Sequence, residues 1–106
     1  MLESALEQRV VRGAKSKGVK HVLKLTTKGS TGWPDRLILI PGGKALFLEL
    51  KAPGKKPRPL QLYRIRELRR LGYAVEWADN YDDAMGHITR SLEAASCPTE
   101  SSQVPS

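Results

Sequence analysis

Two apolar runs constrain this chain more than any other feature. They are Arg36-Leu37-Ile38-Leu39-Ile40 and Ala45-Leu46-Phe47-Leu48-Glu49-Leu50, parted only by Pro41-Gly42-Gly43-Lys44. Gly-Gly supplies the positive φ angles that a tight hairpin needs. Both runs are apolar at odd and even positions alike, so both faces of the hairpin require cover. That places it in the middle of a sheet with helices on each side. A chain of 106 residues has room for one such domain and a small core.

The flanking segments supply the cover. Residues 2–17 read as a helix, with Leu6, Val10 and Ala14 in one stripe, Leu2 and Val11 on its flanks, and Gly18 as its end. Residues 20–26 alternate as a strand, and 27–34 form a loop rich in Gly, Ser and Thr. Residues 52–59, Ala-Pro-Gly-Lys-Lys-Pro-Arg-Pro, cannot be regular structure. Residues 60–71 place Leu62, Ile65 and Leu68 on one helix face, 73–78 read as a short strand, and Asn80 caps a last helix over 81–94. The order αβββαβα describes a three-layer α/β domain with a mixed sheet over residues 1–95. The strand after the second helix is expected to lie parallel to a hairpin strand, because a crossover helix connects them. From Ser96 onward, small and polar residues with two prolines read as a flexible tail over 96–106.

Charge narrows the function. Residues 1–75 carry seventeen Lys and Arg against five acids, whereas residues 76–106 carry one base and six acids. A basic body of this kind expects a polyanion, and nucleic acid is the commonest. No apolar run reaches the ~18 residues of a membrane span. The N-terminal residues lack the pattern of a secretion signal, and the single cysteine, Cys97, allows no internal disulfide. The expectation is a soluble intracellular protein with no membrane partner.

Three of the five acids in the basic body stand where acids are disfavoured. Glu3 interrupts the apolar helix stripe, Asp35 begins one buried strand and Glu49 sits near the end of the other. A carboxylate near a core needs a partner. One solution is a divalent cation held by clustered carboxylates, and oxygen ligands suit Mg²⁺ or Mn²⁺. A two-residue turn at Gly42-Gly43 sets Arg36 across from Glu49, and a one-residue change in register sets Asp35 there instead. In either case Asp35 and Glu49 lie at the same end of neighbouring strands, and Lys51 shares a face with Glu49. Two acids and an ammonium group beside a basic loop suit phosphodiester hydrolysis. Asp35, Glu49 and Glu3 would hold the metal, with Lys51 orienting water or stabilising charge on the phosphate.

These residues resemble a known family. Pro34-Asp35, then Glu49-Leu50-Lys51 a hairpin later, is similar to the PD-(D/E)XK nuclease motif. Gly32-Trp33-Pro34-Asp35-Arg36, the Pro-Gly-Gly turn, Phe47-Leu48-Glu49-Leu50-Lys51-Ala52 and Gln61 resemble the virus-type replication-repair nuclease domain, VRR-NUC, over about residues 2–78. The resemblance implies a restriction-endonuclease-like core and a metal-dependent DNA endonuclease. It implies Asp35 and Glu49 as metal ligands, Lys51 as the catalytic lysine and Glu3 as the acid from the first helix. Gln61 would be an accessory polar residue. Glu7 competes with Glu3 for its role, and the stripe geometry favours Glu3. Stand-alone members look like small viral enzymes, acting in the host cytoplasm on branched DNA that includes four-way junctions.

A junction with two-fold symmetry is cut at two places, which a two-fold dimer supplies. Strand 73–78, with Tyr73 and Trp77, and the acidic C-terminal part are candidate dimer surfaces. Lys55, Lys56 and Arg58 of the basic loop, with Arg64 of the following helix, are the expected phosphate contacts. The alternative is a nucleic-acid-binding module that keeps the fold without the chemistry.

Overall fold

The computed structural model describes residues 3–95, with side chains from Ser4 onward. The tail from Ser96, Cys97 within it, and the side chain of Glu3 lie outside the described residues. The elements are α1 (Glu3–Ser16), β1 (Val22–Lys24), β2 (Arg36–Ile40), β3 (Lys44–Leu50), α2 (Pro59–Arg70), β4 (Ala74–Ala78) and α3 (Tyr81–Ala95). They form one four-stranded sheet in the order β1-β2-β3-β4. The first three strands are antiparallel and β4 is parallel to β3, as its crossover through α2 requires. The hairpin β2–β3 is central, as its two-sided apolar pattern demands.

The two faces of β3 are divided by parity. Leu46, Leu48 and Leu50 point to one side, where they pack with Ile38 and Ile40 of β2, Leu6 and Val10 of α1 and Ile88 of α3. Phe47 points to the other side, where Ile65 and Leu68 of α2 meet Val75, Trp33 and Trp77. The glycine at position 13 allows α1 to lie close on α3, since a Cβ there would come within 2.6 Å of Tyr81 Oη. Among the described residues no helix is long and apolar enough to cross a membrane.

Helix α2 starts one residue earlier than its apolar spacing suggests. Pro59 fits the first helical turn because its missing N–H has no helical acceptor there. Strand β1 is shorter than the alternating run 20–26. Beyond it Thr27 Oγ1 donates to the Ser30 carbonyl at 2.8 Å and turns the chain away. The edge strand β4 is closed by side chains. Arg69 Nη2 donates to the Val75 carbonyl at 2.7 Å, and His87 Nε2 lies 3.2 Å from the Trp77 carbonyl, which can only accept. Occupied carbonyls of this kind work against pairing of β4 with a further strand. Of its two aromatics, Trp77 packs against the core, while Tyr73 is half-exposed with its ring set edge-on to Phe47 at 5.6 Å.

Candidate active site

The hairpin turn decides the geometry. Ile40 pairs with Lys44, so three residues, Pro41, Gly42 and Gly43, make the turn, with φ of 88° and 78° at the two glycines. At the far end Arg36 pairs with Leu48. One step further, that register sets Asp35 opposite Glu49, the second of the two registers open from sequence. The Asp35 N–H donates to Glu49 Oε1 at 3.2 Å.

Glu49 is buried, at 4% exposure, on the α2 side of the sheet. Its Oε2 accepts from Gln61 Nε2 at 3.0 Å and lies 3.4 Å from Lys51 Nζ. Lys51 stays in the extended line of β3 because its N–H donates to the Ala78 carbonyl at 2.9 Å. This keeps Glu49 and Lys51 on one face. The ion pair is largely withdrawn from water, with side-chain exposures of 13% for Lys51 and 6% for Glu49. Its attraction is therefore little weakened by solvent.

Gln61 has a fixed orientation. Its Oε1 accepts the Arg58 N–H at 2.8 Å, just ahead of α2, so the amide nitrogen must face Glu49. A single side chain thereby caps a helix and holds a buried carboxylate. The structure brings together Asp35, Glu49, Lys51 and Gln61. It leaves Lys55, Lys56 and Arg58 exposed on the loop that follows Lys51.

Glu7 is engaged elsewhere. Its Oε1 lies 2.7 Å from Arg36 Nη2, with both side chains only 14% exposed. The pair ties the N-terminal half of α1 to the start of β2, the end of the sheet at which Asp35 stands. Glu3 lies one helical turn further toward the N-terminus. Among the described residues no three His, Cys, Asp or Glu side chains group to hold a metal. The chemistry of the pair Asp35 and Glu49, carboxylate oxygens with neither imidazole nor thiolate, fits a hard cation such as Mg²⁺ or Mn²⁺.

Two structural details near the site have little sequence signal. Arg64 does not extend from α2 as a free cation. It lies over the Trp33 ring at 4.4 Å and donates to the Thr31 carbonyl at 3.1 Å. Asp79, just past β4, accepts the Gly54 N–H at 3.1 Å and so pins the basic loop. Hydrogen bonds from Asn80 and then from Gly54 hold the Asp79 carboxyl below its ordinary 3.8. A depressed carboxyl stabilises the fold fully above the unfolded value and loses that contribution as pH falls through the folded one. Amide exchange at Gly54 is expected to be about fivefold faster in Asp79→Ala at neutral pH. The wild type should approach the variant on acidification below 3.8. An unchanged Gly54 rate in the variant would show that Asp79 does not hold the loop.

At the opposite end of the sheet, a groove of about 370 Å³ lined by Gly43, Tyr73, Ser91 and Ala95 contains none of the candidate catalytic, metal-binding or phosphate-contact residues.

No protein-family model matches the chain. A curated relative named "Putative nuclease p44", from Acyrthosiphon pisum secondary endosymbiont phage 1, is 39% identical over 80 residues, which is 76% of this chain and 85% of the relative. Two solved structures superpose on the chain, each with a TM-score of 0.74. One, named VRR_NUC domain, is 27% identical and the match covers 82% of this chain and 94% of its own. The other, named VRR_NUC domain protein, covers 88% of this chain and 89% of its own, and at 21% identity its likeness bears on the fold alone.

Proposed function

Because the chain belongs to the VRR-NUC nuclease family, we propose that it is a metal-dependent endodeoxyribonuclease that prefers branched DNA and acts as a two-fold dimer. The observation that carries the chemistry is the facing of Asp35 and Glu49 across the hairpin, with Lys51 Nζ 3.4 Å from Glu49 Oε2. Asp35 and Glu49, with Glu3 from the start of α1, would hold Mg²⁺ or Mn²⁺. A cation bound there would polarise the phosphate oxygens and lower the pKa of a water.

The remaining work falls to the chain itself. Glu49 is kept in one rotamer by the Asp35 N–H on one oxygen and Gln61 on the other. Lys51, anchored by Glu49, presents its ammonium group to the oxygen on which charge grows as the phosphate is attacked. Gln61 contributes by orienting Glu49 and by closing the start of α2. Lys55, Lys56 and Arg58, exposed beside Lys51, supply the phosphate contacts that position a strand without reading its bases.

Three considerations support the wider reading. The basic loop offers charge and no base-reading element, which favours recognition of DNA shape. Two symmetric cuts need two sites at fixed spacing, which a dimer provides. The relative's source fits a phage enzyme working in the cytoplasm of its host.

The test is cleavage of labelled four-way junction, single-stranded and linear duplex DNA with Mn²⁺, Mg²⁺ or EDTA, alongside sedimentation of the free protein. Metal-dependent, paired cuts in the junction by a dimer are expected. Equal cutting of all three DNAs would remove the junction preference, and a monomer that cuts singly would remove the dimer. Binding without cutting under any metal would overturn the nuclease reading.

A further inference from the structure

Asp35 stands where a loop runs into β2. The Leu25 N–H donates to the Asp35 carbonyl at 2.9 Å and carries the β1–β2 pairing one step past Arg36. The segment 25–34 itself has no regular structure, so side chains must fix the path that leads into Asp35. The loop is built on Ser30. Its carbonyl accepts from Thr27 Oγ1 at 2.8 Å, and its Oγ accepts from Trp33 Nε1 at 2.8 Å. The glycine at position 32, with φ of +86°, brings the backbone so close to α2 that a Cβ would come within 2.7 Å of Leu60 Cγ.

Arg64 fastens this loop to the helix. Each of its guanidinium nitrogens has a partner. Nε donates to the Thr31 carbonyl at 3.1 Å, Nη2 to Ser30 Oγ at 3.4 Å and Nη1 to Glu67 Oε1 at 3.2 Å. Its Cζ lies over the Trp33 ring, 4.4 Å from the centroid. Trp33 is two residues from Asp35, and Pro34 between them is buried. Arg64 stands one turn along α2 from Gln61, which holds Glu49. One helix thus grips both members of the carboxylate pair, Glu49 through Gln61 and Asp35 through the loop.

We propose that Arg64 is a positioning residue that sets Asp35 against Glu49 through the loop 30–34, and is not a phosphate contact. The assignment rests on the nuclease reading for its effect on activity, but not for its effect on Asp35.

The two roles respond differently to lysine. A phosphate contact needs a charge, which Arg64→Lys retains. The clamp needs a planar fork that bonds in three directions, which lysine cannot supply. Arg64→Lys, Arg64→Ala and Ser30→Ala, each confirmed as folded by thermal denaturation, would be compared with the wild type. The amide exchange of Asp35 is the first readout, because that N–H is bonded to Glu49. Mn²⁺ affinity without DNA, DNA binding in EDTA as a function of salt, and cleavage are the others.

In Arg64→Lys the Asp35 amide is expected to exchange about tenfold faster. Mn²⁺ affinity and cleavage should fall by about 10- to 100-fold, as for loss of an outer partner of a metal ligand. DNA affinity and its salt slope should not change. Ser30→Ala should move the same quantities in the same direction by less. An unchanged Asp35 amide rate in Arg64→Lys would overturn the proposal. So would a weaker, less salt-dependent DNA affinity in Arg64→Ala that Arg64→Lys restores together with full cleavage. A wild type that neither binds Mn²⁺ nor cuts would overturn the nuclease reading instead, and the Asp35 exchange rate would still decide the role of Arg64.

Discussion

Glu49→Gln is expected to lower metal-supported DNA cleavage by about 10³-fold while leaving a folded protein. The reason is the number of donors that Glu49 serves. One oxygen accepts the Asp35 N–H, and the other accepts from Gln61 and pairs with Lys51. An amide of the same shape has one acceptor oxygen and a donating nitrogen. Either the Asp35 N–H or the Gln61 amide must then face an N–H₂ group, and Lys51 loses its counter-charge. The substitution also removes a ligand charge from the proposed cation site. A buried donor left without an acceptor costs ~1–3 kcal/mol, which a domain of this size tolerates. Single-turnover cleavage with saturating Mn²⁺, paired with a thermal melt, checks both halves. Cleavage within tenfold of the wild type would mean that Glu49 does not act in the chemistry.

The neighbouring substitution Leu48→Ala should give the opposite phenotype. Leu48 is fully buried on the α1 and α3 side, whereas Glu49 faces α2. Truncating a buried leucine costs ~2–5 kcal/mol, from lost burial and the cavity left behind. Against a total of ~5–15 kcal/mol that is a large share. It corresponds to a fall in Tm of roughly 10–15 °C for ~3 kcal/mol. Cleavage per folded molecule well below the transition should remain near the wild-type value, because no atom of Leu48 faces the carboxylate pair. Urea denaturation and cleavage at low temperature separate the two quantities. A stable but inactive Leu48→Ala protein would show that the two faces of β3 are coupled in a way the packing does not indicate.

The order of elements was legible because each rests on a strong local signal. The hairpin runs are apolar on both faces, the helices carry stripes of period 3.6, and Gly18 and Gly72 mark helix ends. The register of the hairpin was not legible. A turn of two or three residues at Pro41-Gly42-Gly43 satisfies the same glycines, and only the pairing Ile40 with Lys44 chooses. That choice determines whether Arg36 or Asp35 meets Glu49. The proximity of Asp35, Glu49 and Lys51 could be read from spacing, because strand ends in a hairpin have few places to go. The contact of Gln61 with Glu49 could not, since it depends on how α2 lies across the sheet.

Arginine was the least legible residue type. Arg64 looked like its neighbours Arg66, Arg69 and Arg70, all on a basic helix. In the fold Arg64 clamps the loop and Arg69 caps a β4 carbonyl, while Arg66 and Arg70 remain exposed. An arginine's long stem lets it serve solvent or backbone equally, and the sequence carries no mark of which. Arg36 posed the same difficulty. Its partner Glu7 lies 29 residues away in another element, and only the packing of α1 on the sheet brings them together.

Metal-dependent catalysis through Lys51 is tested most simply by comparing the wild type with Lys51→Ala on labelled junction DNA. Binding would be measured in EDTA, and cleavage in Mn²⁺, Mg²⁺ and EDTA. The wild type is expected to cleave with either metal and not in EDTA. Lys51→Ala is expected to lose about 10²- to 10³-fold in cleavage at nearly unchanged DNA affinity. Cleavage that persists in EDTA, or that Lys51→Ala retains in full, would contradict metal-dependent catalysis through Lys51.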